Sequence, residues 1–133
     1  MLDIATMKGL VAVGVDGDIN VATMNRRICL HDYTMGPFSL WQVDLVWSVE
    51  FVEHVEERYI ENFLTTFRSG RVLMMSHAIP GQGGHHHVNE QSSLYWVNVL
   101  SRDGWALDDV ATEWVRSNAS DFFIRQTGMV FTK

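Results

Sequence analysis

Val43-Asp-Leu-Val-Trp-Ser-Val-Glu-Phe-Val-Glu-His-Val55 is the stretch on which the fold turns. Its first half, Val43 to Val49, is a short, largely apolar run with several β-branched residues, as expected of a strand in a covered sheet. Its second half changes character at once to Glu50-Phe-Val-Glu53-His54. If a helical turn starts there, Glu50 lies three residues from Glu53 and four from His54, so all three project on one face. Two carboxylates and an imidazole converging at a sheet edge can hold a divalent cation. Oxygen ligands favour Mg²⁺ or Mn²⁺, and imidazoles pull toward Fe²⁺ or Zn²⁺. His54 can instead serve as a general base, since its charge changes near neutral pH. A solvated acidic helix start is the third reading of the same letters.

Outward from this stretch, strands and helices alternate. Downstream, Tyr59, Ile60, Phe63, Leu64 and Phe67 recur at helical spacing behind Glu56 and Glu57, and Gly70 supplies the stop. Arg71 to Ser76 reads as a strand running into the glycine- and histidine-rich segment His77 to Asn89. Ser92 or Ser93 can cap a helix carrying Leu94, Val97 and Leu100, closed by Gly104. A strand near Trp105 to Leu107, a short helix from Ala111 to Ser117 and a last strand within Phe122 to Phe131 complete the tail. Upstream, Leu10 to Val15 reads as a buried strand stopped by Asp16-Gly17-Asp18, and Arg27 to Leu30 as a second one. This alternation predicts an α/β domain with a mostly parallel sheet and helices on both faces. Ligands in such sheets bind outside the carboxyl ends of the strands, where Asp16, Asp32, the Glu50 to His54 group and the His77 to His87 loop all fall.

Composition narrows the functional classes. In 133 residues, 10 Lys plus Arg stand against 16 Asp plus Glu, a net charge of −6. That balance disfavours a protein that grips a long nucleic acid, while a polymer end held by a local basic patch stays possible. With 47% hydrophobic and 20% charged residues, the chain has the composition of one folded domain over residues 1–133. Cys29 is the only cysteine, so neither an internal disulfide nor a cysteine-based zinc site can form, and a reducing cytoplasm is the expected location. No apolar run approaches the roughly 18 residues of a membrane span, and the start of the chain lacks the basic region of a signal peptide.

Asp16, following a strand among glycines, can accept both hydroxyls of a ribose, or it can be a turn aspartate bonding its own backbone. Asp32, after the next strand, can accept from an exocyclic amine such as adenine N6, or it can cap a helix or turn. One strand-helix unit apart, the two together favour an adenosine-type ligand. In an extended loop His85 and His87 would point one way and His86 the other, so either of the first two could complete a metal set with Glu50, Glu53 and His54. A merely exposed histidine run is the alternative.

The order of these features resembles the class I S-adenosylmethionine-dependent methyltransferases. The likeness rests on Val13-Gly-Val-Asp16, His31-Asp32-Tyr33 and Asp44 to Val55. It continues in His87-Val-Asn89, followed by Ser93, Tyr95, Trp96, Leu100 and Gly104-Trp105, and in the closing Thr127 to Phe131. The phrasing is closest to the short methyltransferases of phages and marine bacteria. The resemblance implies a Rossmann-like methyltransferase sheet. It implies that Asp16 bonds the cofactor ribose, Asp32 takes the adenine amine, Tyr33 packs beside the adenine, and Ser48 and Val49 lie near the sulfonium. In the branch that includes small-RNA 3′-end 2′-O-methyltransferases and some quinone-biosynthesis enzymes, an E-x-x-E-H group plus a later histidine binds a metal. Glu50, Glu53, His54 and His87 match that set in type and order.

One part of the family pattern is missing. No glycine-rich D/E-x-G-x-G-x-G motif stands before Val11, and Gly14-x-x-Gly17 follows the wrong strand to replace it. The resemblance therefore implies a domain truncated at its amino end, lacking the first strand, which in that family lies between the second and fourth. The strands flanking that gap would have to pair elsewhere. The sequence thus predicts S-adenosylmethionine-dependent methyl transfer to a small molecule or polymer end, with a divalent metal (Mg, Mn, Fe or Zn) assisting and Glu53 and His54 as catalytic groups. Two other functions fit the same letters. One is a non-catalytic module that pairs with another chain or a second copy. The other is a small metal-dependent hydrolase using His85, His87, Glu50 and Glu53.

Overall fold

A computed structural model describes residues 2–133. In chain order the helices are α1 (Leu2–Met7), α2 (Ile19–Met24), α3 (Ile60–Phe67), α4 (Ser93–Arg102), α5 (Asp109–Asn118) and α6 (Phe122–Thr127). The strands are β1 (Gly14–Asp16), β2 (Ile28–Leu30), β3 (Val43–Ser48), β4 (Gly70–Met75), β5 (Ala106–Leu107) and β6 (Met129–Thr132). The fold is mixed α/β.

The strands form two sheets rather than one. β1 and β2 pair in parallel, and a separate four-stranded sheet has the order β3-β4-β6-β5. β3 and β4 are parallel, but β6 lies between β4 and β5 and runs antiparallel to both. The four-stranded sheet is therefore mixed, not mostly parallel. The chain leaves β5 through α5 and α6 and returns beside it in the opposite direction, which no sequence period reveals.

Helices do cover both faces, and side-chain alternation explains how. Leu73 and Met75 of β4, with Met129 and Phe131 of β6, join Phe63, Leu64 and Phe67 of α3 and Trp96 and Leu100 of α4 in the larger core. Met74 and Val130, one residue out of phase, face the other way and pack with Ile124 of α6 and with Ala111 and Val115 of α5. A period of two in the strands thus serves two layers of helices. In α3 the apolar residues Ile60, Phe63, Leu64 and Phe67 follow the i, i+3, i+4, i+7 pattern of one helical face. Phe63 is fully buried, a contribution of roughly 1.5–3 kcal/mol by area.

The two sheets meet through one segment. Tyr33 is buried in the larger core with Val15 and Phe38 packed against it, and its hydroxyl donates to Thr66 Oγ1 at 2.8 Å. Asn62 Nδ2 donates to the Tyr33 carbonyl at 2.6 Å.

Several boundaries differ from the sequence-based expectation. Of the expected Leu10 to Val15 strand only Gly14 and Val15 are paired, with Asp16 added at the end, and Val11 is fully exposed. Among the described residues β1 pairs with β2 alone. The last strand, expected within Phe122 to Phe131, is β6 (Met129–Thr132), and residues 122–127 ahead of it form α6, capped by Asp121, which accepts from the amides of Phe123 and Ile124. In α4 the cap is Ser92, while Leu94 is exposed and Trp96 takes the buried place.

Gly70 does not stop a helix. It opens β4, opposite Val43, where a Cβ would lie 2.8 Å from Val46 Cγ2 and 3.1 Å from the Val72 carbonyl oxygen. Gly70→Ala is expected to cost about 1–3 kcal/mol in urea denaturation through overpacking. Val46→Ala introduced into the same chain should recover part of that loss.

Candidate metal centre

Two loops leaving the carboxyl ends of the parallel pair β3 and β4 build the site. The ladder ends at Ser48 opposite Met75, and the Ser76 amide then donates to the Ser48 carbonyl at 3.0 Å. Ser76 Oγ accepts the Glu50 amide at 3.1 Å, which ties the first loop to the second strand end. Glu50 itself has φ 53, a left-handed backbone that costs a residue with a Cβ and is held here by that bond.

Beyond Glu50, residues Val52–His54 form one turn of 3-10 helix that leaves Glu50 outside it, so the three residues do not lie on one helical face. Glu53 turns inward and is fully buried. His54 turns outward, is exposed, and has Nδ1 3.2 Å from the His86 carbonyl. The expected convergence of Glu50, Glu53 and His54 is therefore replaced by another. Glu50, Glu53 and His87 each offer one ligand atom, and these atoms lie within 4.8 Å of one another. His54 stands beside this group, with its ring edge-on to His87 at 5.0 Å between centroids.

The second loop brings His87 in. The amides of Val88 and Asn89 donate to the Glu53 carbonyl at 2.9 and 3.1 Å, and Asn89 Nδ2 donates to the Val55 carbonyl at 3.1 Å. His85 and His86 are exposed and pack on each other at 4.1 Å, and His86 has φ 57. This turn separates His85 from His87, which an extended loop would have placed on one side.

The electrostatics of the group are unusual for an interior. Neither Glu53 oxygen has a hydrogen-bond partner among the described residues, and Glu50 Oε1 and His87 Nδ1 also lack one. Burial, and next the neighbouring Glu53, push the Glu50 carboxyl above the ordinary carboxylate range, while His87 draws it back down. A buried carboxylate without a donor is costly, and a second one beside it adds repulsion. A divalent cation would answer both, and two carboxylates plus an imidazole are a donor set that takes one. The residues fit the group.

The remaining sequence-predicted positions fall as follows. Asp16 Oδ1 accepts the Asp18 amide and Asp32 Oδ1 accepts the Thr34 amide, each at 2.8 Å, as turn and cap aspartates do. The Thr34 bond holds the Asp32 carboxyl below its ordinary range. Oδ2 of each stays outside these bonds. Tyr33 is a core residue, 7% exposed, with its ring against His31, Phe51 and Phe63. Ser48 is buried at the end of β3, and the half-buried Val49 packs with the second core cluster.

Glu90 and His77 were not singled out from the sequence. The H-x-x-E spacing from His87 to Glu90 is the one local signal for the former. His77 is 1% exposed between the Ala78 carbonyl and Ser93 Oγ, at 3.1 and 3.0 Å. No helix among the described residues is long and apolar enough to cross a membrane. Compared with protein-family models, curated protein sequences and solved structures, the chain has no match.

Burial pushes the His77 imidazole below its ordinary value of 6.5, with Glu53 acting against that shift and Arg116 with it. The unfolded chain therefore takes a proton that the folded one refuses. Stability is expected to be full above pH 6.5 and to fall as pH drops below it. Melting temperature against pH should show a shallower fall for His77→Gln than for the unaltered chain.

Proposed function

We propose that this chain is a methyltransferase-type α/β domain that binds a divalent cation at Glu50, Glu53 and His87 and methylates a hydroxyl-bearing acceptor with S-adenosylmethionine. The observation that carries the reading is the fully buried Glu53, whose two oxygens find no donor and open onto Glu50 and His87. The arrangement of the sheets supports it. β1 pairs only with β2, and β3 sits at the edge of its own sheet. The break falls where the resemblance places the absent first strand, between the strand that ends in Asp16 and the one that ends before Glu50.

A bound cation would hold the acceptor hydroxyl and lower its pKa. The chain's own groups do the rest in this reading. Glu50 and Glu53 supply anionic oxygens and His87 a nitrogen. Asp16 and Asp32 each present Oδ2 at the ends of β1 and β2 for ribose and adenine. Ser48 and Val49 close the end of β3 near the sulfonium. His54, exposed at the rim, takes the acceptor proton as the C–O bond forms and the C–S bond breaks. Proximity and alignment supply most of the acceleration in such in-line transfer.

A second reading is a non-catalytic module completed by another chain or a second copy. The open edges of β1 and β3, each paired with one strand among the described residues, favour it. A monodisperse monomer in sedimentation experiments would exclude it.

Calorimetry separates the parts of the main reading. Metal-stripped protein is expected to take up one Mn²⁺ per chain, and Glu53→Ala or His87→Ala should weaken this at least about tenfold. S-adenosylhomocysteine should bind with measurable heat. No heat from a folded, monodisperse sample would remove the cofactor from the proposal.

A further inference from the structure

Glu90 occupies an unusual place in the loop that presents His87. Its two carboxylate oxygens accept two separate backbone amides: Oε2 takes Gly81 N–H and Oε1 takes Gly83 N–H, both at 2.7 Å. Carboxylate bonds of this length are strong, and together they cross the base of the histidine-bearing turn. The Glu90 side chain is 20% exposed and that of His87 9%. Oε1 also lies 3.6 Å from His87 Nδ1, just beyond hydrogen-bond length, and among the described residues that buried nitrogen has no other partner.

Gly84 also lies close against the ring. With φ +147, a Cβ built on it would lie 2.6–2.8 Å from three atoms of the His87 imidazole. The ring is therefore seated against a glycine that admits no side chain, with the Glu90 carboxylate on the Nδ1 side. Glu90 also sits on the same short span as the ligand it would steer, so the loop and the ring are held by one group.

We infer that Glu90 is the positioning residue of His87: it pins the glycine loop and accepts a hydrogen bond from Nδ1–H, leaving Nε2 for the Glu50–Glu53 pair. The inference rests on the metal-binding reading of that pair, and it assigns to Glu90 a role apart from coordination. Carboxylates behind ligating histidines fix the tautomer and ring orientation in this way, and losing one typically costs about 10–100-fold in metal affinity.

Two measurements on the full chain test it. In metal-free, ¹⁵N-labelled protein, the imidazole spectrum should show His87 with its proton on Nδ1, and Glu90→Gln should abolish that fixed tautomer while the melting transition stays cooperative. In titrations with Mn²⁺ alone, Glu90→Gln should bind about 10–100-fold more weakly. Gly84→Ala, which displaces the ring by contact, should weaken binding in the same direction.

A wild-type His87 protonated on Nε2 would overturn the inference, as would an unchanged spectrum in Glu90→Gln. Equal Mn²⁺ affinity of Glu90→Gln and wild type would overturn it and leave the metal reading standing. If the wild type takes up no Mn²⁺ while Glu90→Gln still loses the Nδ1 tautomer, the metal reading fails and the role of Glu90 stands.

Discussion

The parallel ladder between β3 and β4 brings together the two loops that carry the candidate metal ligands Glu50, Glu53 and His87. It ends at Ser48 and Met75, is prolonged by the Ser76 amide on the Ser48 carbonyl, and is closed by Ser76 Oγ on the Glu50 amide. Because parallel strands end at the same side of a sheet, both following loops must start together. Glu50 and Glu53 come from one of them and His87 and Glu90 from the other. The Glu53 carbonyl, accepting two amides from the second loop, then locks the two into one surface.

That ladder is supported from both sides by different helices. Alternate residues of β4 supply Leu73 and Met75 to one core and Met74 to the other, and β6 repeats the pattern with Phe131 and Val130. β3 has no strand on its outer side among the described residues, and its Leu45 and Trp47, on the sheet face beside α5, are half open. The well-packed half of the molecule is therefore β4, β6 and the helices over them. The β1–β2 unit is attached chiefly through Tyr33 and the segment around it, whose contacts with Thr66 and Asn62 carry the junction.

The polar group sits within this packing at an energetic disadvantage. Apolar burial stabilises the surrounding layers, yet it leaves Glu53 without a donor and pushes Glu50 toward its neutral form. Strain is added at Glu50, a non-glycine residue with positive φ. Unfavourable charge and backbone placed together at a strand end are what a binding site tolerates and a purely structural loop does not need. A cation would turn the same arrangement from a cost into an attraction.

Much of this was legible in the chain. The i, i+3, i+4, i+7 run from Ile60 to Phe67, the apolar Val43 to Ser48 and the Ser92 cap are local patterns, and local physics is enough to form them. The acidic pair Glu50 and Glu53 and the histidine at 87 also stood out, since residue type and order are properties of the sequence. What the sequence could not decide was direction. Glu50 lies outside the short helical turn that carries Glu53 and His54, so His54 points away from the carboxylates, and a turn at His85–His86 leaves His87 alone facing them. Likewise Gly70 reads as a helix stop until Val46 is seen against it. β6 reads as one more parallel strand until its place between β4 and β5 is known. These outcomes depend on which segments lie side by side in space, and side chains at strand ends and in turns follow backbone geometry that only the packed neighbours determine.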